Sequence, residues 1–301
     1  MTNLRLFIRL ARPQFLLGGM LLYALGAGIA RYLGTPIDWS VFFLGQVWGT
    51  LLQLSTHFIN EYFDIEYDMK NPNRTFLTGG SGALGPGKLP RATALWSAVG
   101  CLAAVASVTV LLLNKGNINP VTGGLMILIF LGAFFYAVPP VKLESTGYGE
   151  LTTAILLSNL VPAFAFVLQT GHLHRLLAMS TFPLTFLCLA MLLAFELPDY
   201  GTDLKYGKRT LLVRAGWQLG MNIHNLMIFF GYLVLAIAVI VGLPMAIALP
   251  AILSLPIGLL QIWSMNNIAA GGKPNWNILT LAGLLMYASA AYLLALAFWT
   301  R

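Results

Sequence analysis

Two acidic segments of the chain contain residue types and spacings that could bind a metal ion. In the first, NEYFDIEYD, Asn60, Asp64 and Asp68 recur at every fourth residue, so a continuous helix would place them on one face. In the second, FELPDYGTD, Asp199 and Asp203 are also four residues apart. Neighbouring carboxylates repel one another unless a cation lies between them, and magnesium commonly bridges one or two carboxylates to substrate phosphates. The two segments therefore predict a site for a magnesium-bound diphosphate.

Basic residues lie close to both acidic segments. Arg74 follows the first segment, Lys205 and Lys208 follow the second, and Lys142 lies on a short connection between them. Arginine pairs with phosphate through two hydrogen bonds and lysine acts as a point charge, so these side chains could neutralise oxygens that a metal does not reach. Membrane orientation alone also accounts for basic residues in such loops. The TGGSG run at 78–82 lacks the spacing of a P-loop, and we expect it to form a flexible flap over the site.

The composition of the 301-residue chain indicates what must position these residues. Hydrophobic residues make up 58% and charged residues only 9%, with a mean hydropathy of +0.80. An average soluble domain has about 25% charged residues. The apolar residues also come in blocks of about 20, the length of a helix that spans a bilayer. These values exclude disorder, collagen-like repeats and an ordinary water-soluble fold, and they predict an all-α, polytopic membrane protein.

Nine apolar runs, bounded by polar residues, glycine or proline, predict nine transmembrane helices. They cover residues 13–33, 40–62, 92–114, 120–138, 150–170, 177–198, 217–242, 244–266 and 276–299. The first run could pass for a signal peptide, but it continues to Tyr32 without a polar region, so we expect a retained helix. The two acidic segments follow the second and the sixth predicted spans, and so lie at equivalent positions four spans apart. This predicts one domain over 1–301, with pseudo-repeated halves of about 1–140 and 141–266, a ninth helix at 276–299, and a cavity between the halves.

The distribution of charge predicts the orientation in the membrane. Of the 17 lysines and arginines, 13 lie on the side that carries the N-terminus and both long loops, and 4 lie on the other. That side is therefore expected to be cytoplasmic, and the site lies on it. All acidic residues except Asp38 share this side, which orientation does not explain, because it depends little on Asp and Glu. Basic residues spread over many loops argue against nucleic-acid binding, and Cys101 and Cys188, both within apolar runs, suggest neither a disulfide nor a zinc site.

Four segments of the chain resemble the UbiA family of intramembrane aromatic prenyltransferases. NEYFDIEYD is similar to the family's first aspartate-rich motif, and DYGTDLKYGKRTL is similar to its second. YAVPPVKLESTGYGE resembles the family's loop between spans four and five, and Ala11-Arg12-Pro13 resembles the start of its first helix. Glu61 stands where the family commonly has aspartate, so a carboxylate is kept. The Gly-Tyr-Gly-Glu sequence at 147–150 resembles the menaquinone-related branch, which prenylates dihydroxynaphthoate, more than the ubiquinone branch.

The resemblance implies transfer of a prenyl group from a polyprenyl diphosphate to a small acceptor, commonly an aromatic quinone precursor, with Mg2+ as cofactor. The residues that it implies for the metal are Asn60, Asp64, Asp68, Asp199 and Asp203, with Asp64 and Asp199 as the catalytic pair. The residues that it implies for the diphosphate are Arg12, Arg74, Tyr136, Lys142, Lys205 and Lys208. Metal and cations would stabilise the leaving diphosphate, and an electron-rich ring carbon would attack the allylic cation inside a bundle that keeps water out.

Other functions fit parts of the same pattern. Transfer to a non-aromatic lipid acceptor of the glycerol phosphate type would use the same site. A membrane transporter is also expected to carry acidic residues in a two-half bundle, although transport sites usually lie near the midplane and the far half of these spans is almost empty of ionisable groups. A metal-dependent lipid-phosphate phosphatase would use the same ligands with water as acceptor. In every case the expected partners are small molecules and membrane lipid.

Overall fold

The computed structural model describes residues 2–301. This part of the chain is mainly helical and contains no β-strand. The helices are α1 (Asn3–Ala11), α2 (Pro13–Tyr32), α3 (Trp39–Asp68), α4 (Arg91–Asn114), α5 (Pro120–Ala137), α6 (Gly149–Ile155), α7 (Val161–Thr170), α8 (Arg175–Glu196), α9 (Tyr200–Tyr206), α10 (Leu211–Ala215), α11 (Trp217–Val241), α12 (Met245–Ala251), α13 (Leu255–Ala269) and α14 (Trp276–Thr300). A π-helical turn joins α6 to α7, and a 3-10 turn joins α12 to α13. The predicted all-α class is confirmed.

Eight helical segments of the described chain are long and apolar enough to cross a membrane. They are Asn3–Tyr32, Arg91–Asn114, Pro120–Ala137, Gly149–Thr170, Arg175–Glu196, Trp217–Val241, Met245–Ala269 and Trp276–Thr300. Each contains or closely matches one of the predicted spans. The chain is therefore an integral, multi-pass membrane protein.

The ninth predicted span, 40–62, corresponds to α3, which is long enough to cross a bilayer but less apolar than the other eight. Polar side chains along α3, among them Gln46, Thr50, Gln53 and Asn60, line an internal cavity instead of meeting lipid. This burial explains why α3 needs no uniformly apolar surface. At 1.5 Å per residue its 30 residues extend about 45 Å, beyond a hydrocarbon core of about 30 Å. The first acidic segment is therefore a helical continuation of α3, as the spacing predicts.

The junction of α1 and α2 lies against the acidic end of α3. α1 buries Leu6 and Leu10 in a cluster with Phe58 of α3. Its helix ends at Arg12, whose backbone is left-handed with φ 51° and ψ 58°, and Pro13 starts α2. Proline has no N–H and a fixed φ, so it suits the first position of a helix and cannot continue the preceding one. This turn aims the Arg12 side chain at the acidic end of the bundle.

Six membrane helices enclose the cavity. Its walls come from α2, α3, α5, the α6–α7 segment, α8 and α14, while the other spans pack outside them. α2 contacts α7 and α14, and the Trp299 indole of α14 donates a hydrogen bond to the Ala24 carbonyl of α2 at 2.9 Å. The first and last spans therefore close the ring around the cavity. The division into two pseudo-repeated halves stays a prediction.

Candidate active site

One cavity of about 370 Å³ extends from the acidic end of the bundle into its interior. All five residues expected to hold the metal line this cavity: Asn60, Asp64, Asp68, Asp199 and Asp203. The fold thus brings together two segments that are separated by four membrane-spanning segments of the chain. Their side chains converge because the first segment ends α3 and the second runs from the turn after α8 into the first turn of α9.

Asp64 is held between two lysines from different loops. Its Oδ1 lies 2.6 Å from the Lys142 Nζ and its Oδ2 lies 2.8 Å from the Lys208 Nζ. Both lysines also face Glu144, at 3.4 and 3.9 Å. Burial alone would lower the pKa of Lys208, but Glu144 and Asp64 outweigh burial and raise it well above the usual value. The two lysines are therefore charged and balance two buried carboxyls.

Glu144 belongs to this site, although sequence reasoning did not assign it a role there. It lies in the 3-10 turn Leu143–Ser145 and is only 5% exposed. Its Oε2 accepts a hydrogen bond from the Asn60 amide. Burial raises the pKa of Glu144 to about 7, against the opposing effect of Lys208. The available signal was its position two residues after Lys142, in a segment that resembles a family loop.

The second acidic segment is tied to the end of α3 by Asn71. The Asn71 Nδ2 donates to the Asp199 Oδ1 at 2.6 Å. Burial raises the pKa of Asp199 to about 6, although the Asn71 hydrogen bond lowers it. Burial also raises the pKa of Asp203 to about 7, and the charges of Asp199 and Asp64 add to the rise. Both carboxyls are therefore destabilised in their ionised form and would gain from a bound cation.

The donor set fits a magnesium ion that binds together with a phosphate ligand. Among residues 2–301, neither the Asp68 nor the Asp203 carboxyl accepts a hydrogen bond, and both face the cavity. Within the same range, no three His, Cys, Asp or Glu side chains form a ready-made metal site. Magnesium usually takes one or two protein carboxylates and fills its other positions with water and substrate phosphate. Oxygen ligands that repel one another beside free cavity space are consistent with that mode of binding.

Two of the cations stand on strained backbone. Arg12 and Lys142, with φ of 51° and 40°, are the non-glycine residues with positive φ within the described chain. This conformation costs about 1–3 kcal/mol for a residue with a side chain, and such strain clusters at functional sites. The Arg12 Nε lies 3.5 Å from the Glu61 Oε1, and the Lys142 Nζ reaches Asp64. In both cases the strained turn directs a positive charge to the acidic end of the cavity.

The residues expected to bind diphosphate divide into two groups. Arg12, Tyr136 and Lys208 line the cavity, and Lys142 joins them through Asp64. Arg74 and Lys205 do not line it. The Arg74 guanidinium donates to the Gly79 carbonyl at 2.5 Å and to the Asp68 carbonyl at 3.2 Å, so it braces the backbone. Lys205 is exposed, with its Nζ 5.6 Å from the Tyr206 ring.

The glycine-rich segment lies over the cavity and is anchored at several points. Thr78, Gly79 and Gly80 line the cavity. Next to them, the Ser81 amide and hydroxyl donate to the Glu61 carboxylate at 2.5 and 2.6 Å. Gly79 and Gly80 have φ of 78° and 76°, a backbone region that favours glycine. Glu61 therefore holds the segment in place and does not line the cavity itself.

The deep end of the cavity is aromatic. Trp48 precedes Asp64 by 16 residues of α3, a rise of about 24 Å. Its ring packs on Phe164 with centroids 5.0 Å apart, and Tyr23 lies 6.1 Å from Phe164. The Trp48 N–H bonds to the Thr109 hydroxyl and the Tyr23 hydroxyl bonds to the Phe42 carbonyl. Since their polar atoms are satisfied elsewhere, these rings offer an apolar surface for an isoprenoid-like chain.

Comparison with known proteins places the chain in a family. The sequence profile of the UbiA prenyltransferase family matches residues 20–268, which is most of the chain. No curated protein sequence matches the chain significantly.

Several solved structures share the fold. The structure of a UbiA homologue from Archaeoglobus fulgidus bound to DMAPP and Mg2+ has a TM-score of 0.72 and 18% sequence identity, over 98% of this chain and 99% of that one. The apo structure of a UbiA homologue from Aeropyrum pernix has a TM-score of 0.65 and 15% identity, over 92% and 96%. A digeranylgeranylglyceryl phosphate synthase has a TM-score of 0.61 and 16% identity, over 100% and 98%. At these identities the structures support the fold.

Proposed function

The chain belongs to the UbiA prenyltransferase family, and we propose that it transfers a polyprenyl group from its diphosphate to a small aromatic acceptor inside the membrane, with magnesium as cofactor. The observation that carries this proposal is the shared cavity. Carboxylates from α3 and from the α8–α9 turn meet four basic and hydrogen-bonding groups at its polar end, and aromatic rings form its deep end. A ligand with a diphosphate head and an isoprenoid tail matches both ends.

The polar end would hold the diphosphate. Magnesium, held by Asn60, Asp64, Asp68, Asp199 and Asp203, would neutralise the charge that develops on the diphosphate as it leaves. Binding of the cation and its phosphate partner would release Lys142 and Lys208 from Asp64, and both lysines would then meet phosphate oxygens. Arg12 lies close enough to contribute a further positive charge. These groups stabilise the leaving group and so favour cleavage of its bond to the prenyl carbon.

The deep end would hold the tail and exclude water. About 24 Å of α3 separates Asp64 from Trp48. A length of this order has room for an extended prenyl chain of several isoprenoid units. The apolar walls deny water access to the allylic cation, so that the acceptor reacts first. Tyr136, at the boundary of the polar and apolar regions, offers a ring face that stabilises a nearby positive charge.

The site is proposed to face the cytoplasm. The described structure places the carboxylates, Lys142, Lys208 and the flap at one end of the bundle, the end that also carries the N-terminal helix α1. The excess of Lys and Arg on the loops of that end favours a cytoplasmic location. Both diphosphate and acceptor would then arrive from the compartment in which soluble metabolites are made.

An acceptor panel tests the function. Purified protein in lipid vesicles would be incubated with magnesium, isotope-labelled geranylgeranyl diphosphate and one acceptor at a time: dihydroxynaphthoate, hydroxybenzoate, homogentisate or a prenyl glycerol phosphate. Mass spectrometry should find a prenylated aromatic product. The glycerol phosphate acceptor is the second candidate, because one neighbour in fold is a digeranylgeranylglyceryl phosphate synthase. Absence of product from every aromatic acceptor, with product from the glycerol phosphate, would transfer the assignment to that class.

A further inference from the structure

Two glutamates in the cavity wall have no role in the metal or diphosphate site. Glu150 begins α6 and Glu196 ends α8, and both line the cavity. Their carboxyl groups lie close together, because they accept hydrogen bonds from the backbone amides of the consecutive residues Leu211 and Leu212.

The backbone of α10 fixes the orientation of both carboxyls. The Glu150 Oε1 accepts from the Leu211 amide at 2.7 Å, and the Glu196 Oε2 accepts from the Leu212 amide at 3.4 Å. Glu150 is only 5% exposed, and no donor from residues 2–301 reaches its Oε2. A buried acceptor without a donor beside free cavity space indicates a ligand that supplies a proton or a hydrogen bond.

The surroundings place the pair next to the reacting groups. Glu196 precedes Asp199 by three residues, about one helical turn, and Glu150 and Tyr136 line the same cavity. Lys208, which is bound to Asp64, also lines this cavity. The pair therefore lies between the polar end, where the diphosphate would leave, and the apolar end, where the prenyl carbon would be exposed.

We propose that Glu150 and Glu196 together form the general base that accepts the proton of the acceptor. This inference rests on the proposed prenyl transfer. In that step the C–O bond of the prenyl diphosphate breaks and its electron pair leaves with the diphosphate. A pair of electrons from the acceptor forms the new bond to the prenyl carbon, and the proton on the attacking atom moves to a carboxylate of the pair, then to water. A protonated ring intermediate is strongly acidic, so a carboxylate is a sufficient base.

The proposal specifies the acceptor chemistry. It applies to an acceptor that loses a proton when the new bond forms, such as hydroxybenzoate at a ring carbon or a glycerol phosphate at its hydroxyl. An acceptor that loses carbon dioxide from the attacked carbon would need no base. The pair thus favours proton-losing acceptors over decarboxylating ones.

Glutamine variants separate catalysis from structure. Glu150→Gln and Glu196→Gln keep a carbonyl oxygen for the α10 amides, so folding should be preserved. With hydroxybenzoate and labelled geranylgeranyl diphosphate, we expect prenylated product to fall by about 100-fold or more, the typical contribution of general base catalysis. Release of diphosphate should continue close to the wild-type rate, with free prenol as the other product. Glu66→Gln, which removes an exposed glutamate on α3, should behave as wild type.

Other outcomes would overturn the proposal. Equal loss of diphosphate release and product would mean that the pair only positions α10. Unchanged product formation would mean that it takes no part in the reaction, and wild-type transfer confined to a decarboxylating acceptor would remove the need for a base. Absence of both diphosphate release and product in the wild-type protein, with every acceptor, would instead contradict the proposed prenyl transfer itself.

Discussion

Lys208, in the loop after α9, lies 2.8 Å from the Asp64 Oδ2 in α3, and so joins the two acidic segments of the chain through one ion pair. Lys142, from another loop, forms a second ion pair with Asp64, at 2.6 Å from its Oδ1. Asp64, an expected metal ligand, is thus paired with Lys142 and Lys208, which are expected to bind the diphosphate. Binding of metal to Asp64 would free the two lysines for the diphosphate, and binding of diphosphate to the lysines would free Asp64 for the metal. Metal and diphosphate would therefore bind together.

The first prediction concerns Lys208. Lys208→Ala should lower kcat/KM for the prenyl diphosphate roughly ten- to a hundredfold, since a hydrogen bond to a charged group is worth about 1.5–3 kcal/mol. Lys208→Arg should lose less, because the charge remains. In Lys208→Ala the magnesium concentration for half-maximal rate should not rise, since Asp64 loses a cation that competes with the metal.

Lys205, in the last turn of α9, provides the comparison for Lys208 in the loop that follows. It is exposed and does not line the cavity, so Lys205→Ala should have a much smaller effect on kcat/KM. Steady-state kinetics on the three variants would check both statements. Equal losses at Lys205 and Lys208 would contradict the assigned roles.

The second prediction concerns the two catalytic aspartates. Asp64→Asn and Asp199→Asn should each abolish turnover while the protein remains folded. Asp64 is buried, and its loss leaves Lys142 and Lys208 without their main partner. Glu144 lies 3.4 and 3.9 Å from the same lysines and remains as their partner, so the free energy of unfolding should fall only moderately. Thermal unfolding in detergent and product assays would be run side by side, and wild-type rates in either variant would refute the assignment.

The membrane bundle follows from the sequence almost entirely, because block length and hydropathy determine which segments cross a bilayer. α3 is the exception, since its polar face serves the cavity and lowers its hydropathy. The carboxylates were predictable from four-residue spacing. Glu144, Asn71 and the Glu150–Glu196 pair were not, because their roles depend on contacts between distant segments that spacing does not encode. The bracing role of Arg74 likewise depends on the path of the loop, which local sequence leaves undetermined.

The third prediction concerns the anchor of the flap. Glu61→Ala removes the acceptor for the Ser81 amide and hydroxyl and the partner of Arg12. Loss of buried hydrogen bonds of this kind costs about 1–3 kcal/mol, so hydrogen exchange at residues 78–82 should speed up by roughly ten- to a hundredfold. The KM for diphosphate should rise while the magnesium requirement persists. Unchanged exchange at 78–82, with Glu66→Ala as the reference variant, would contradict an anchoring role.

The fourth prediction is a dependence of metal binding on pH. Without metal the pKa values of Asp199 and Asp203 are about 6 and about 7, raised by burial, so both carboxyls bind protons more tightly when folded than when unfolded. Their contribution to the free energy of unfolding is therefore largest at low pH and falls as pH rises through about 7. Magnesium needs the ionised forms and must displace these protons.

Magnesium affinity should consequently increase by about tenfold or more between roughly pH 5.5 and 8. The shift in thermal unfolding midpoint caused by magnesium and a non-hydrolysable diphosphate, measured at both pH values, would check this. Asp203→Asn should flatten the dependence. An affinity that does not change with pH in the wild-type protein would contradict the raised pKa values.

The central claim is that magnesium-dependent cleavage of a prenyl diphosphate is coupled to transfer of the prenyl group. The most direct measurement is the ratio of diphosphate released to prenylated acceptor formed, in vesicles that contain the purified protein, with magnesium and then with excess chelator. The account predicts a ratio close to one with magnesium and neither product with chelator. Diphosphate accompanied only by free prenol would indicate hydrolysis of the donor with water as acceptor, and uncleaved donor accumulating across the vesicle membrane would indicate a transporter. Either result would contradict prenyl transfer as the function of this cavity.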